Sequence, residues 1–143
     1  MFLNPDIGEI CNLLREVKTI AIVGLSPLPM RPSYRIARAL QGAGYRIIPV
    51  RPLVKKVLGE PAYSRLRDIP VPVDLVDVFR APRLVDGVVD ECLEAGIKRL
   101  WIQEGIINEE AAHRARAGGM MVIMDRCIWR DYNGLCSSFL VNE

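Results

Sequence analysis

The chain is poor in the residues that build metal centres. It has one histidine, His113, and four cysteines, Cys11, Cys92, Cys127 and Cys136. No two cysteines stand at CxxC spacing and none lies near His113 in sequence, which argues against a zinc site and leaves no metal expected. No apolar run approaches the roughly 20 residues needed to span a bilayer. The amino-terminal stretch MFLNPDIGEICNLLREV has neither a basic lead nor a small-residue cleavage site, so it does not read as a secretion signal. Net charge is only +2, which argues against a dedicated nucleic-acid binder. These absences together predict a cytoplasmic protein with reduced thiols, no membrane contact and no nucleic-acid partner.

What is present describes an ordinary globular chain. Hydrophobic residues make up 50% and charged residues 25% of 143 positions, so the chain is not disordered and has about the length of one domain. A fold of that size buries roughly 68–70% of its unfolded surface, enough for a core without staples.

The pattern alternates strand with helix. Residues 5–17 carry Ile7, Ile10, Leu13, Leu14 and Val17 at helical spacing behind a cap at Asn4 or Asp6. TIAIVG (19–24) is a continuous apolar run of the buried parallel-strand type. A helix follows from Pro32, a residue suited to a first helical position, and ends at Gly42 and Gly44. YRIIPV (45–50) is the second strand. The proline-rich stretch 51–73 holds a short edge strand near Val57–Leu58 and a helical turn near Tyr63–Leu66. DLVDVF (74–79), RLWIQ (99–103) and MMVIMD (120–125) are strands. Helices run from Pro82 to about Ala95, and from Asn108, with Glu109 and Glu110 in its first turn, to Gly118–Gly119. The tail from Arg126 to Glu143 has no clear pattern. The expectation is α/β: a single doubly wound, Rossmann-like domain over residues 1–143, with a mostly parallel sheet of about five strands.

In such a sheet a ligand sits at the carboxyl ends of the strands, where the strand order reverses. With the first strand central, that point lies between Val23 and Phe79. Three loops then converge: Gly24–Ser33, Arg51–Pro52 and Phe79–Pro82. They offer a helix N-terminus behind Pro32, the hydroxyls of Ser26 and Ser33, the guanidinium groups of Arg31, Arg51 and Arg80, and the ring of Phe79. That set suits several negative charges and one planar base. Gly24 lets a backbone approach closely. The GxGxxG fingerprint is missing, and Arg51 occupies the position where an acid usually holds the ribose of NAD. A cation there suits a phosphate on the ribose, as in NADP or in the 3′-phosphate of coenzyme A.

The stretches AIVGLSPLPMRPSYRIARALQGAGYRIIPVRP, GEPAYSRLRDIPVPVDLVDVFR and WIQEGIINEEAAHRARAGGMMVIMDRC resemble the small stand-alone CoA-binding domain proteins. These are similar in fold to the amino-terminal domain of the succinyl-CoA synthetase alpha subunit. The resemblance covers roughly residues 8–130 and implies coenzyme A or an acyl-CoA as ligand. It implies a nucleotide lying over the first helix and the second-strand loop, where the loop chemistry gives Gly24, Ser26, Arg31, Pro32, Ser33, Arg51, Phe79 and Arg80 as the candidate binding residues. One departure stands out: the family reads Pro-x-Asn-Pro after the second strand, where this chain has PVRP, so Arg51 replaces an asparagine. Arginine offers only donors and charge, and either strengthens the hold on a ribose phosphate or crowds the ribose. Cys127 follows a strand end at the ligand edge, within range of a mixed disulfide with the CoA thiol if Arg126 faces the same way and activates it. Burial in the core is the default expectation for Cys127, ahead of that disulfide.

No nucleophile–base pair, metal cluster or paired carboxylates are evident, so no catalytic residue is assigned. The expected function is non-catalytic binding of coenzyme A or an acyl-CoA. An NADP-binding reductase is the first alternative, with Tyr45, Tyr63, Tyr132 and Lys55 as loose proton donors. A nucleotide-binding subunit of a larger CoA ligase, which requires a protein partner, is the second. Trp101 reads as core, Gln103 as bonded to a loop, and His113, Arg116 and Arg130 as surface.

Overall fold

A computed structural model describes residues 1–140; the end of the patternless tail, 141–143, lies outside the described residues. Helix α1 (Ile7–Glu16) begins where the Asp6 carboxylate accepts a bond from the Glu9 N–H at 2.8 Å, and it buries Ile10, Cys11, Leu13 and Leu14. Strand β1 (Thr19–Val23), helix α2 (Pro32–Gly42) and strand β2 (Arg46–Val50) follow. A small hairpin comes next, β3 (Lys56–Val57) and β4 (Glu60–Pro61), then a single 3-10 turn at Leu66–Asp68. Strand β5 (Leu75–Val78), helix α3 (Val85–Ala95), strand β6 (Arg99–Gln103), helix α4 (Glu109–Ala117) and strand β7 (Met121–Arg126) complete the alternation. The last segment coils through α5 (Ile128–Arg130), a π-helical turn (Asp131–Leu135) and α6 (Ser137–Leu140).

Five strands form one sheet in the order β2-β1-β5-β6-β7, and every pairing is parallel. The chain moves outward from β1 to β2, then returns across β1 to β5. The order therefore reverses between β1 and β5, as the strand pattern predicts. Each strand divides its side chains between two cores because consecutive residues point to opposite faces. Ala21, Val23, Val76 and Val78 join the core beneath α3 and α4. Ile20, Ile22, Leu75 and Trp101 join the core beneath α1, α2 and the last segment. Asp77 falls between Leu75 and the strand end, opposite Ile22 on β1 and Trp101 on β6. It is fully buried, and neither carboxylate oxygen has a hydrogen-bond partner. Burial holds its carboxyl well above the ordinary carboxylate range.

Three expectations are corrected. The stretch at Val57–Leu58 does not join the main sheet: Lys56–Val57 turns back on Glu60–Pro61 through Leu58 and Gly59, both at positive φ. Contact with β2 comes instead from Tyr63, whose N–H donates to Pro49 O at 3.0 Å and whose carbonyl accepts from Arg51 N–H at 2.8 Å. The expected helical turn at 63–66 accordingly starts later, at Leu66. The thiols are not all reduced either: Cys11 in α1 is bonded to Cys136 in the last segment. The two lie 125 residues apart in sequence, so no local pattern links them. Cys92 and Cys127 remain free and buried, and burial with Glu91 nearby pushes the Cys92 thiol up to about 12.

The other outer strand, β7, is met by the amino terminus. The Asn4 side chain donates to Met124 O at 2.9 Å and accepts from Met124 N–H at 2.8 Å, pairing like a strand residue. Phe2 lies under the Arg116 guanidinium, 3.9 Å from its ring centre, and edge-on to His113. No helix among the described residues is long and apolar enough to cross a membrane.

Candidate functional site

The carboxyl end of β1 is tied to both neighbours. Gly24 N–H donates to Val50 O at 2.9 Å, and Phe79 N–H donates to Val23 O at 2.8 Å. Gly24 has φ +87°, and a Cβ placed on it would lie 2.3 Å from the Phe79 carbonyl oxygen. The glycine is thus required first by the approach of two strand ends, and its freedom of φ serves that approach.

The loop that follows is held by its own serines. Ser33 Oγ accepts the Ser26 N–H at 3.0 Å, and Ser26 Oγ accepts the Leu28 N–H at 3.1 Å. Both residues are buried. Each hydroxyl has used acceptor capacity on the loop and keeps its own hydrogen as a donor. Helix α2 starts at Pro32 with no side chain capping it. Its first-turn N–H groups have no partner within the helix, so its N-terminus is open to an anion.

Three arginines surround this point. Arg51 Nη1 donates to Gly24 O at 3.3 Å, which brings the loop after β2 over the end of β1. Arg80 follows β5, and its Nε–H is buried without a partner. Arg31 precedes α2 and is exposed. None of the three has a carboxylate partner among the described residues. Gly24, Ser26, Arg31, Pro32, Ser33, Arg51, Phe79 and Arg80 all line one cavity of about 390 Å³, together with Ala81 and Ile106. All eight positions singled out from the sequence meet there. Ile106 was not among them. Its signal was its place after β6, since all parallel strand ends share one edge. Phe79 is partly buried and packs on the core as well as facing the cavity.

The remaining candidates have settled partners. Gln103 is buried and its Oε1 accepts the Ile128 N–H at 3.1 Å, the loop bond expected of it. Arg126 does not serve Cys127. Its guanidinium forks onto Asp131, Nε to Oδ2 at 2.6 Å and Nη2 to Oδ1 at 3.1 Å. Arg130 is not merely solvated, for it pairs with Glu104 at 2.7 Å. Of the loose proton donors, Tyr45 donates to Leu14 O and is held above its ordinary range by burial and by Tyr132. It stands at the amino-terminal edge, away from the crevice.

A doubly wound parallel sheet with a cationic crevice at its switch point is the class these observations define. Comparison with known proteins agrees. The chain belongs to the CoA binding domain family, which matches residues 18–133. It is 45% identical over 125 residues to the uncharacterized protein YneT of Bacillus subtilis, covering 87% of this chain and 93% of that one. It is 32% identical to the acetate–CoA ligase (ADP-forming) II of Archaeoglobus fulgidus, over 74% of this chain but only 16% of the ligase. A hypothetical protein from Pyrococcus horikoshii superposes with a TM-score of 0.88 at 31% identity, covering 93% of this chain and 96% of that one.

Proposed function

We propose that the chain binds coenzyme A or an acyl-CoA reversibly in the switch-point crevice and performs no chemistry on it alone. The observation that carries this reading is the convergence of Arg31, Arg51 and Arg80 on the open N-terminus of α2. Cations without carboxylate partners beside orphan N–H groups suit a ligand with several phosphates. Arg31, Arg80, the two serine hydroxyls and the first turn of α2 hold the diphosphate. Arg51 holds the phosphate on the ribose, and Phe79 offers its ring to the base. Titration calorimetry tests the reading: coenzyme A is expected to bind more tightly than NADPH or NAD. Equal or stronger binding of NADPH would overturn it in favour of a reductase.

A second reading is supported by the ligase relative, of which this chain matches only a part. In it the protein supplies the CoA-binding unit of a larger ligase assembled with another chain. Co-purification of a ligase-type partner with tagged protein, together with formation of an acyl-CoA, ADP and phosphate by the pair from a carboxylic acid, CoA and ATP, separates this reading from the first.

A further inference from the structure

A second cavity, about 710 Å³, opens beside the crevice and shares Pro32, Phe79 and Ile106 with it. The two differ in chemistry. The crevice gathers three arginines around hydroxyls and backbone N–H groups. The second cavity is walled by Ile36 and Ala39 of α2, by Phe79 and Ile106, and by Trp129 of the last segment. All five are only partly buried. Partly exposed apolar side chains around one concavity gain by being covered by a hydrocarbon that enters it. The charges of this cavity lie at its exposed rim: Arg35, Arg38 and the Glu104–Arg130 pair.

Resting on the coenzyme A reading above, we infer that the second cavity receives the acyl chain of an acyl-CoA, and that the chain it takes is an aliphatic one longer than acetyl. The phosphates belong with the crevice arginines. The neutral pantetheine arm then leaves the crevice past the three shared residues, and the acyl chain on its thiol end meets the apolar wall. Five side chains form that wall, more surface than an acetyl group covers. Trp129 is held in it by stacking on Tyr132, with ring centres 5.5 Å apart and planes at 22°. Tyr132 in turn meets Tyr45 edge-on, so the wall is braced from the far side.

Titration calorimetry with CoA, acetyl-CoA, hexanoyl-CoA, octanoyl-CoA and succinyl-CoA tests the inference. Affinity is expected to rise about two- to fourfold per added methylene, so that hexanoyl-CoA binds at least about tenfold more tightly than acetyl-CoA. Ile36→Ser and Trp129→Ala should each flatten the octanoyl-to-acetyl ratio, a quantity read within one variant and insensitive to a general loss of affinity. Arg114→Ala, on the opposite face of the sheet, should leave that ratio intact. Trp129 gives a second readout, because the only other tryptophan, Trp101, is fully buried. Octanoyl-CoA should shield Trp129 from acrylamide, and CoA should not. Equal affinity for acetyl- and octanoyl-CoA would overturn the inference while leaving the crevice reading standing. So would a gradient that survives both wall variants. Tightest binding of succinyl-CoA would overturn it by giving selection to the rim arginines. Failure of every CoA species to bind would overturn the crevice reading, and this inference with it.

Discussion

On the α3/α4 face of the sheet, cations meet carboxylates. Arg114 of α4 is held between Asp86 and Asp90 of α3 at 3.0 and 2.7 Å, and Arg67 faces Glu94 at 3.8 Å. Along α2, on the other face, they do not. Arg31, Arg35 and Arg38 have no carboxylate partner among the described residues, two cavities open along α2, and Asp77 is sealed in the core without a hydrogen bond. The same face carries the one disulfide. One side of the sheet is thus closed by helix-to-helix contacts. The other leaves cations and apolar surface unpaired and ties its last segment down covalently. The difference teaches where this fold keeps its interactions satisfied, and where it leaves them for a ligand.

Reduction should break the comparison most strongly. A link between residues 125 apart removes much unfolded-state freedom, and its loss should cost about 3–5 kcal/mol. Urea unfolding with and without reductant measures this, and Cys11→Ser should be insensitive to reductant. Gly24→Ala comes next. It sets a Cβ against the Phe79 carbonyl at a positive φ, with an expected loss of about 2–4 kcal/mol from strain and overpacking. The same unfolding experiment reads it, and the loss should persist with no ligand present, separating a structural glycine from a binding one.

Arg51→Ala sharpens the ligand side. It should weaken CoA by about 1–3 kcal/mol, the range for a lost charge-assisted bond, and leave dephospho-CoA nearly unchanged. An equal loss for both ligands would show that Arg51 acts through Gly24 O instead. Arg51→Asn distinguishes a grip from an obstruction, since tighter CoA binding by that variant would mean that the arginine crowds the ribose.

The smallest effect, measured per step, belongs to Asp77. Its carboxyl is raised by burial, so the folded chain keeps a proton that the unfolded chain releases near about pH 4. The stability linked to that proton is complete below the unfolded value and is lost as pH rises toward the folded one. Asp77→Asn lacks this slope, so its stability relative to the parent should grow with pH, by at most about 1.4 kcal/mol per unit. Urea midpoints from acid to mildly alkaline pH would show it. Parallel curves would mean that Asp77 is ionised in the fold.

Local rules made much of the fold legible. The continuous apolar run of β1, Pro32 at a first helical position and Asn108 capping α4 all act within a few residues, and each stands where the pattern places it. The crevice was legible because the reversal of strand order follows from that alternation. The last segment was not. Its path depends on Asp125, whose φ of +62° bends the end of β7, and on a π-helical turn that no periodicity announces. With that path hidden, the Cys11–Cys136 pairing and the place of Trp129 beside α2 stayed hidden too. Asp77 interrupts an apolar run in the sequence, yet only the register shows that the interruption is buried rather than turned to water.

The amide of Asn4 has a consequence beyond fastening the amino terminus. An outer parallel strand exposes a row of unsatisfied N–H and C=O groups that a neighbouring molecule can extend into a continuous ribbon. Asn4 occupies the Met124 pair on β7, and Tyr63 occupies the Pro49 and Arg51 groups beside β2. Each rim of the sheet therefore presents a stop to strand addition, and self-templated growth is obstructed at both ends by a single residue's polar groups.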